Sequence, residues 1–129
     1  MIVTSDIANI LYRDCKAFGI AIVPDGKTLD ELKAERIVIH AKKQTPSKYW
    51  KKGFVEVNIC VPDSRNNLAS ITRLGELERQ AQSLLDDIVG SYDGSAYYYG
   101  IESIGRERDE GLKCHFVNVR ILFEVLNVE

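Results

Sequence analysis

The stretch Phe54-Val55-Glu56-Val57-Asn58-Ile59-Cys60-Val61 decides the fold. Successive strand residues point to opposite faces, so Val55, Val57, Ile59 and Val61 share one side and Phe54, Glu56, Asn58 and Cys60 the other. One side is wholly apolar and the other mixed, so the stretch reads as a strand with one buried face, ended by Pro62-Asp63. The C-terminal stretch from Leu112 to about Leu126 repeats the pattern. Val117, Val119, Ile121, Phe123 and Val125 form its apolar side, and Phe116, Asn118, Arg120, Leu122 and Glu124 its half-apolar side.

Upstream, Ile7, Ile10, Leu11 and Cys15 fall on one face of a helix that Thr4 or Ser5 can cap and Gly19 can stop in a left-handed conformation. Ile20 to Val23 reads as a short strand before the turn Pro24-Asp25-Gly26, and Thr28 to Ala34 as a helical turn or a loop. Arg36 to His40 reads as a strand, and Lys42 to Gly53, with Pro46, as a polar connection. Leu68, Ile71, Leu74, Leu77, Ala81, Leu84 and Ile88 are spaced three or four apart, which predicts a long helix from Leu68 to Ile88 closed by Gly90. Ala96 to Ile104 forms the outgoing arm of a final hairpin, with its charged tip at Gly105 to Gly111 and Leu112 to Leu126 as its return.

The expected architecture is one α+β domain over residues 1–129 in the order α-β-β-β-α-β-β, a mostly antiparallel sheet with helices packed on one face. At 129 residues the chain has the size of one domain, and 45% hydrophobic and 28% charged residues are ordinary for a globular protein. A net charge of −2 argues against global attraction to nucleic acid. Cys15, Cys60 and Cys114 have neither disulfide-framework nor zinc spacing, so reduced cytoplasmic thiols are expected. The first ten residues lack the pattern of a signal peptide, and no apolar run is long enough to cross a bilayer. A soluble intracellular product is expected.

Catalytic chemistry is not expected, nor a metal or cofactor. Cys60 and Cys114 with His40 and His115 supply the atoms of a thiolate–histidine pair, but the adjacent Cys114 and His115 point to opposite faces of a strand. Asp86 and Asp87 diverge on a helix, and Arg106, Glu107, Arg108, Asp109 and Glu110 read as a solvated hairpin tip. The segment Lys42-Lys43 with Lys48-Tyr49-Trp50-Lys51-Lys52 is the best basic patch, with Lys48, Lys51 and Lys52 for phosphates. A solvated loop with its aromatics folded onto the core is the commoner outcome for such a run. Trp50, the tyrosines Tyr97, Tyr98 and Tyr99, and the half-apolar residues Phe116, Arg120 and Leu122 point instead to a protein interface.

The strand ending in Val57-Asn58-Ile59-Cys60-Val61-Pro62-Asp63, the long amphipathic helix, the tyrosine-bearing strand, the charged turn Arg106-Glu107-Arg108-Asp109-Glu110-Gly111 and the long last strand occur in one order. That order resembles the tail-terminator proteins of long-tailed bacteriophages, the group that includes the lambda-type terminator. The resemblance is one of element pattern over nearly the whole chain; Gly26 to Glu35 and the lysine-rich segment have no counterpart in it. It implies a structural, non-enzymatic protein that forms a homo-oligomeric ring of six, caps the tail tube, stops its polymerisation and presents the head-joining surface. The implied partners are further copies of the chain, the tail tube protein and a head-completion protein, with DNA only as passing cargo and no membrane. The implied location is the host cytoplasm during assembly and then the virion. Another head–tail connector, a nucleic-acid-binding module or a small-ligand α+β module are the competing expectations.

Overall fold

The computed structural model describes residues 2–47 and 49–126. Its helices are α1 (Thr4–Cys15) and α2 (Ile71–Leu84), and its strands β1 (Arg36–Pro46), β2 (Trp50–Pro62), β3 (Ile88–Tyr92), β4 (Ser95–Asp109) and β5 (Cys114–Leu126). Short 3-10 turns occupy Lys16–Phe18 and Arg65–Asn67. All five strands join one antiparallel sheet in the order β1-β2-β5-β4-β3. The α+β class, the antiparallel sheet and the placement of both helices on one face agree with the sequence reading.

The core lies between that face and the helices. Val55, Val57, Ile59 and Val61 from β2 and Val117, Val119, Ile121, Phe123 and Val125 from β5 are buried there with Ile7, Ile10, Leu11 and Cys15 of α1. Leu74, Leu77 and Ala81 of α2 complete it. Each large aliphatic side chain removed from water here contributes roughly 1.5–3 kcal/mol. In α1 the Asp6 carboxylate accepts the Val3 backbone N–H at 2.9 Å, so Val3 and not Thr4 or Ser5 is the capping position. Gly19 stops the helical segment at φ 70, as its sequence position predicts.

The element order differs from expectation, running α-β-β-α-β-β-β. Ile20 to Val23 makes only one parallel bridge, Ile22 to Ile37. Ile37 N–H donates to Ala21 O at 3.0 Å and Val23 N–H to Ile37 O at 2.8 Å, and Pro24 has no N–H to continue. Lys42 to Gly53 is not a polar connection: β1 runs to Pro46 and β2 starts at Trp50, making a long hairpin with a bulge between Ala41 and Gln44. Its exposed lysines on both arms give no burial contrast, which hides the strand period.

The second helix is shorter than its apolar spacing suggests. Leu68 and Ile71 are 62% and 64% exposed, and the helix ends at Leu84. Asp87 takes a positive φ of 56, and Ile88 and Gly90 belong to β3. Asp93 and Gly94, with φ of 49 and 80, then turn β3 into β4. An Asp-Gly pair with two positive φ values matches the two-residue hairpin turn whose twist suits the flanking strands. At the other hairpin, Arg106 to Asp109 are ladder residues and the turn is confined to Glu110 to Lys113.

Candidate interaction surface

The sheet face away from the helices carries the residues left over by the alternation. Register places Phe54 opposite Leu122, Glu56 opposite Arg120, Asn58 opposite Asn118, and Trp50 opposite Leu126. Strand β4 extends the row with Tyr98 opposite Glu124 and Glu107 opposite Phe116. Among the described residues no α-helix packs on this face. It is held by its own polar pairs: Asn118 Nδ2 donates to Asn58 Oδ1 at 2.7 Å, and Lys52 and Glu124 approach to 3.6 Å. The Arg120 guanidinium lies 3.9 Å over the Phe54 ring and 3.6 Å from Glu102. An arginine stacked on an aromatic and bridged to a carboxylate presents a flat, pre-ordered cation of the kind protein interfaces use. Phe54, Phe116, Leu122 and Tyr98 are half-buried on this face and Trp50 is 40% exposed.

The three tyrosines separate as alternation requires. Tyr98 lies outward, whereas Tyr97 and Tyr99 are buried and cannot form a surface contact in this fold. Their rings stack on Phe123 at centroid distances of 5.2 and 5.6 Å. Both hydroxyls reach α1: Tyr97 accepts from Arg13 Nη2 at 2.7 Å and Tyr99 donates to Asp14 Oδ2 at 2.6 Å. Core packing, satisfied by polar tips, explains both residues.

The lysine segment does not form one patch. Lys48 lies outside the described residues. Lys52 pairs with Glu124 on the open face, while Lys51 lies on the other side of the strand and donates to Ile2 O at 3.0 Å. Tyr49 and Trp50 are exposed and not folded onto the core. The charged stretch is not a hairpin tip either. Arg106, Glu107, Arg108 and Asp109 stand in register with Val117, Phe116, His115 and Cys114, and Asp109 Oδ1 accepts Leu112 N–H at 3.0 Å to hold the turn. Arg108 and Glu110 make an exposed ion pair at 3.8 Å.

One polar cluster escaped the sequence reading. His115 Nδ1 lies 2.7 Å from Asp63 Oδ1, whose other carboxylate oxygen is buried without a protein partner. The pair fastens the end of β2 to the start of β5, where Asp63 N–H also donates to Lys113 O at 3.1 Å. The only sequence signal was Pro62-Asp63 facing a histidine in a second strand, which becomes visible once the register is known. Burial, then the neighbouring Cys114, pushes the Cys60 thiol up to about 12, and burial, then the charges of Asp109 and Asp63, pushes the Cys114 thiol up to about 11. Among the described residues no group of three His, Cys, Asp or Glu side chains is arranged to hold a metal ion. Asp86 and Asp87 lie in the bend after α2, where Asp86 Oδ1 accepts Ile101 N–H at 2.9 Å. Among the described residues no helix is long and apolar enough to cross a membrane.

No protein-family model matches the chain, and no curated protein matches it.

Proposed function

We propose that the chain is a structural assembly protein of the tail-terminator type. It closes into a homo-oligomeric ring, six-membered by that resemblance, caps the tail tube and offers its other surface to a head-completion protein. The observation that carries this reading is the uncovered sheet face, where Phe54, Phe116, Leu122, Tyr98 and Trp50 sit in a frame of Arg120, Glu102, Lys52 and Glu124. An apolar centre with a polar, ion-paired surround is the anatomy of a protein–protein interface. The assembly would form in the host cytoplasm and remain in the virion.

The test is electron microscopy of the purified protein mixed with tail tubes. Rings on one tube end, with tube length arrested, are expected. Tubes that bind no protein, or bind it along their sides, overturn the reading. In the same experiment Leu122→Asp on the open face, and Tyr98→Asp, which also removes the Tyr98 hydroxyl's hydrogen bond with Asp87, abolish capping and leave a folded chain.

A further inference from the structure

Among the described residues both edges of the sheet carry outward backbone groups with no backbone partner, and the two edges match each other. The strand order β1-β2-β5-β4-β3 is antiparallel throughout, so with five strands β1 and β3 run in the same direction. On β1 the Ile37 N–H and C=O point away from β2, because they bond Val23 and Ala21. Backbone groups alternate sides along a strand, so those of Ile39 and Ala41 also point outward. Ala21 to Val23 thus runs as a parallel neighbour of the first part of β1, Pro24 ends it, and among the described residues no further backbone bond reaches the outward groups of Ile39 and Ala41 although Asp25 to Thr28 pass beside them. A groove lined by Val23, Pro24, Asp25, Ile39, Ala41 and Lys42 runs along that part of the edge.

On β3, Tyr92 and Ser95 close a two-residue turn and exchange both backbone bonds, as do Gly90 and Ile88 with their partners. The N–H and C=O groups of Val89 and Ser91 therefore point outward, and Val89 is 77% exposed. Neither edge carries a proline inside this stretch, the device that commonly blunts an exposed strand.

We propose that β3 of one copy adds to β1 of the next as a parallel strand, aligning Gly90 with Ala41 and continuing one sheet from subunit to subunit. In that register Val89 N–H donates to Ile39 C=O, Ala41 N–H donates to Val89 C=O, and Ser91 N–H donates to Ala41 C=O. Three independent features agree on it. Rotation about an axis along the strands preserves strand direction, so copies in a closed ring meet with β1 and β3 parallel. Gly90 pairs with the buried Tyr97 and so belongs to the helix face, as Ala41 does opposite buried Val55. Helices of successive copies then lie on the same side. The exposed Lys43 falls beside the exposed Asp93 of the incoming strand, so the charges are complementary, while Lys42 pairs with Glu56 of its own chain. The contact is head-to-tail and pairs β3 of each copy with β1 of the next once the oligomer closes. It specifies the subunit interface of the assembly proposed above and rests on that reading.

The experiment is sedimentation velocity on the full chain over a wide concentration range, with Val89→Pro and Ala41→Pro. Each proline removes one outward N–H and no bond of the chain's own ladder. The wild type forms a discrete closed oligomer, and each variant alone is a folded monomer by circular dichroism. Mixing the two gives a one-to-one dimer that cannot grow, because each contributes its one intact edge. Should a proline perturb the fold, Lys43→Glu and Asp93→Asn serve instead, each weakening self-association several-fold, and increasingly so at low salt. Oligomers unchanged by all four substitutions overturn the edge pairing while leaving the assembly reading intact. A wild type that stays monomeric at every concentration overturns the edge pairing, and tube capping then tests the assembly reading separately.

Discussion

The Tyr99 hydroxyl donates to Asp14 Oδ2 at 2.6 Å, tying a fully buried aromatic of the sheet to the last turn of α1. Asp14 also accepts from Arg13 Nε at 3.1 Å, so the carboxylate joins a surface cation to a core phenol. Burial, then the neighbouring Asp14, push the Tyr99 hydroxyl well above the ordinary phenol range. Tyr99→Phe keeps the stack on Phe123 but leaves Asp14 one donor short. A loss of about 1–2 kcal/mol is expected from denaturant unfolding, with unchanged slope. A loss below a few tenths would show that Asp14 is satisfied by water.

Gly90 has a packing reason as well as an edge one. A Cβ placed there would lie 2.5 Å from the Tyr97 hydroxyl and 2.6 Å from its ring carbon, and the stacked Tyr97 has little room to retreat. Gly90→Ala is expected to cost about 1–3 kcal/mol through this clash. Gly105→Ala, where nothing lies within 4 Å of the added methyl, is the control and should be close to neutral in the same thermal melt.

How much of this was legible follows from which signals have a local cause. The alternation in Phe54 to Val61 and Val117 to Val125 survived intact, because burying one face against helices imposes it residue by residue. The helical stripe misled at its ends: Leu68 and Ile71 keep the spacing but not the burial, and Ile88 shares the stripe's period by coincidence of a following strand. The Asp93-Gly94 turn was readable in principle, since both positions need positive φ. What the sequence alone could not offer was pairing at a distance. That Asp63 meets His115, that Tyr97 and Tyr99 are core while Tyr98 is not, and that the two lysines Lys51 and Lys52 diverge all depend on register.

Glu35 and Arg73 join the segment before β1 to α2 by two hydrogen bonds, Nε to Oε2 at 2.7 Å and Nη2 to Oε1 at 2.8 Å. The hydrogen bond from Arg73 holds the Glu35 carboxyl below the usual range, against the opposing effect of burial. A depressed carboxylate contributes stability that is present above its unfolded pKa of about 4.3 and lost as pH falls through the folded value. Glu35→Gln should therefore be less stable by about 1 kcal/mol near neutral pH, a figure kept small by the partial exposure of both side chains. The gap between variant and wild type should close in acid. A gap constant with pH would assign the effect to packing.

The cysteines give the opposite dependence on pH. Cys15 and Cys60 are pushed up to about 12 and Cys114 up to about 11, in each case chiefly by burial. In the unfolded chain a thiol ionises near 8.5, so the native state holds its protons where the unfolded state releases them. Stability is then fully present below about pH 8 and declines as pH rises toward the folded values. Cys60→Ala and Cys114→Ala should each flatten that alkaline decline, non-additively because the two thiols interact. The same burial predicts that a thiol reagent labels the native protein no faster than it opens, so labelling should track unfolding across a denaturant series. Rapid labelling of Cys114 in native buffer would mean that the Glu110 to Lys113 turn opens locally, and would transfer that thiol from core to surface.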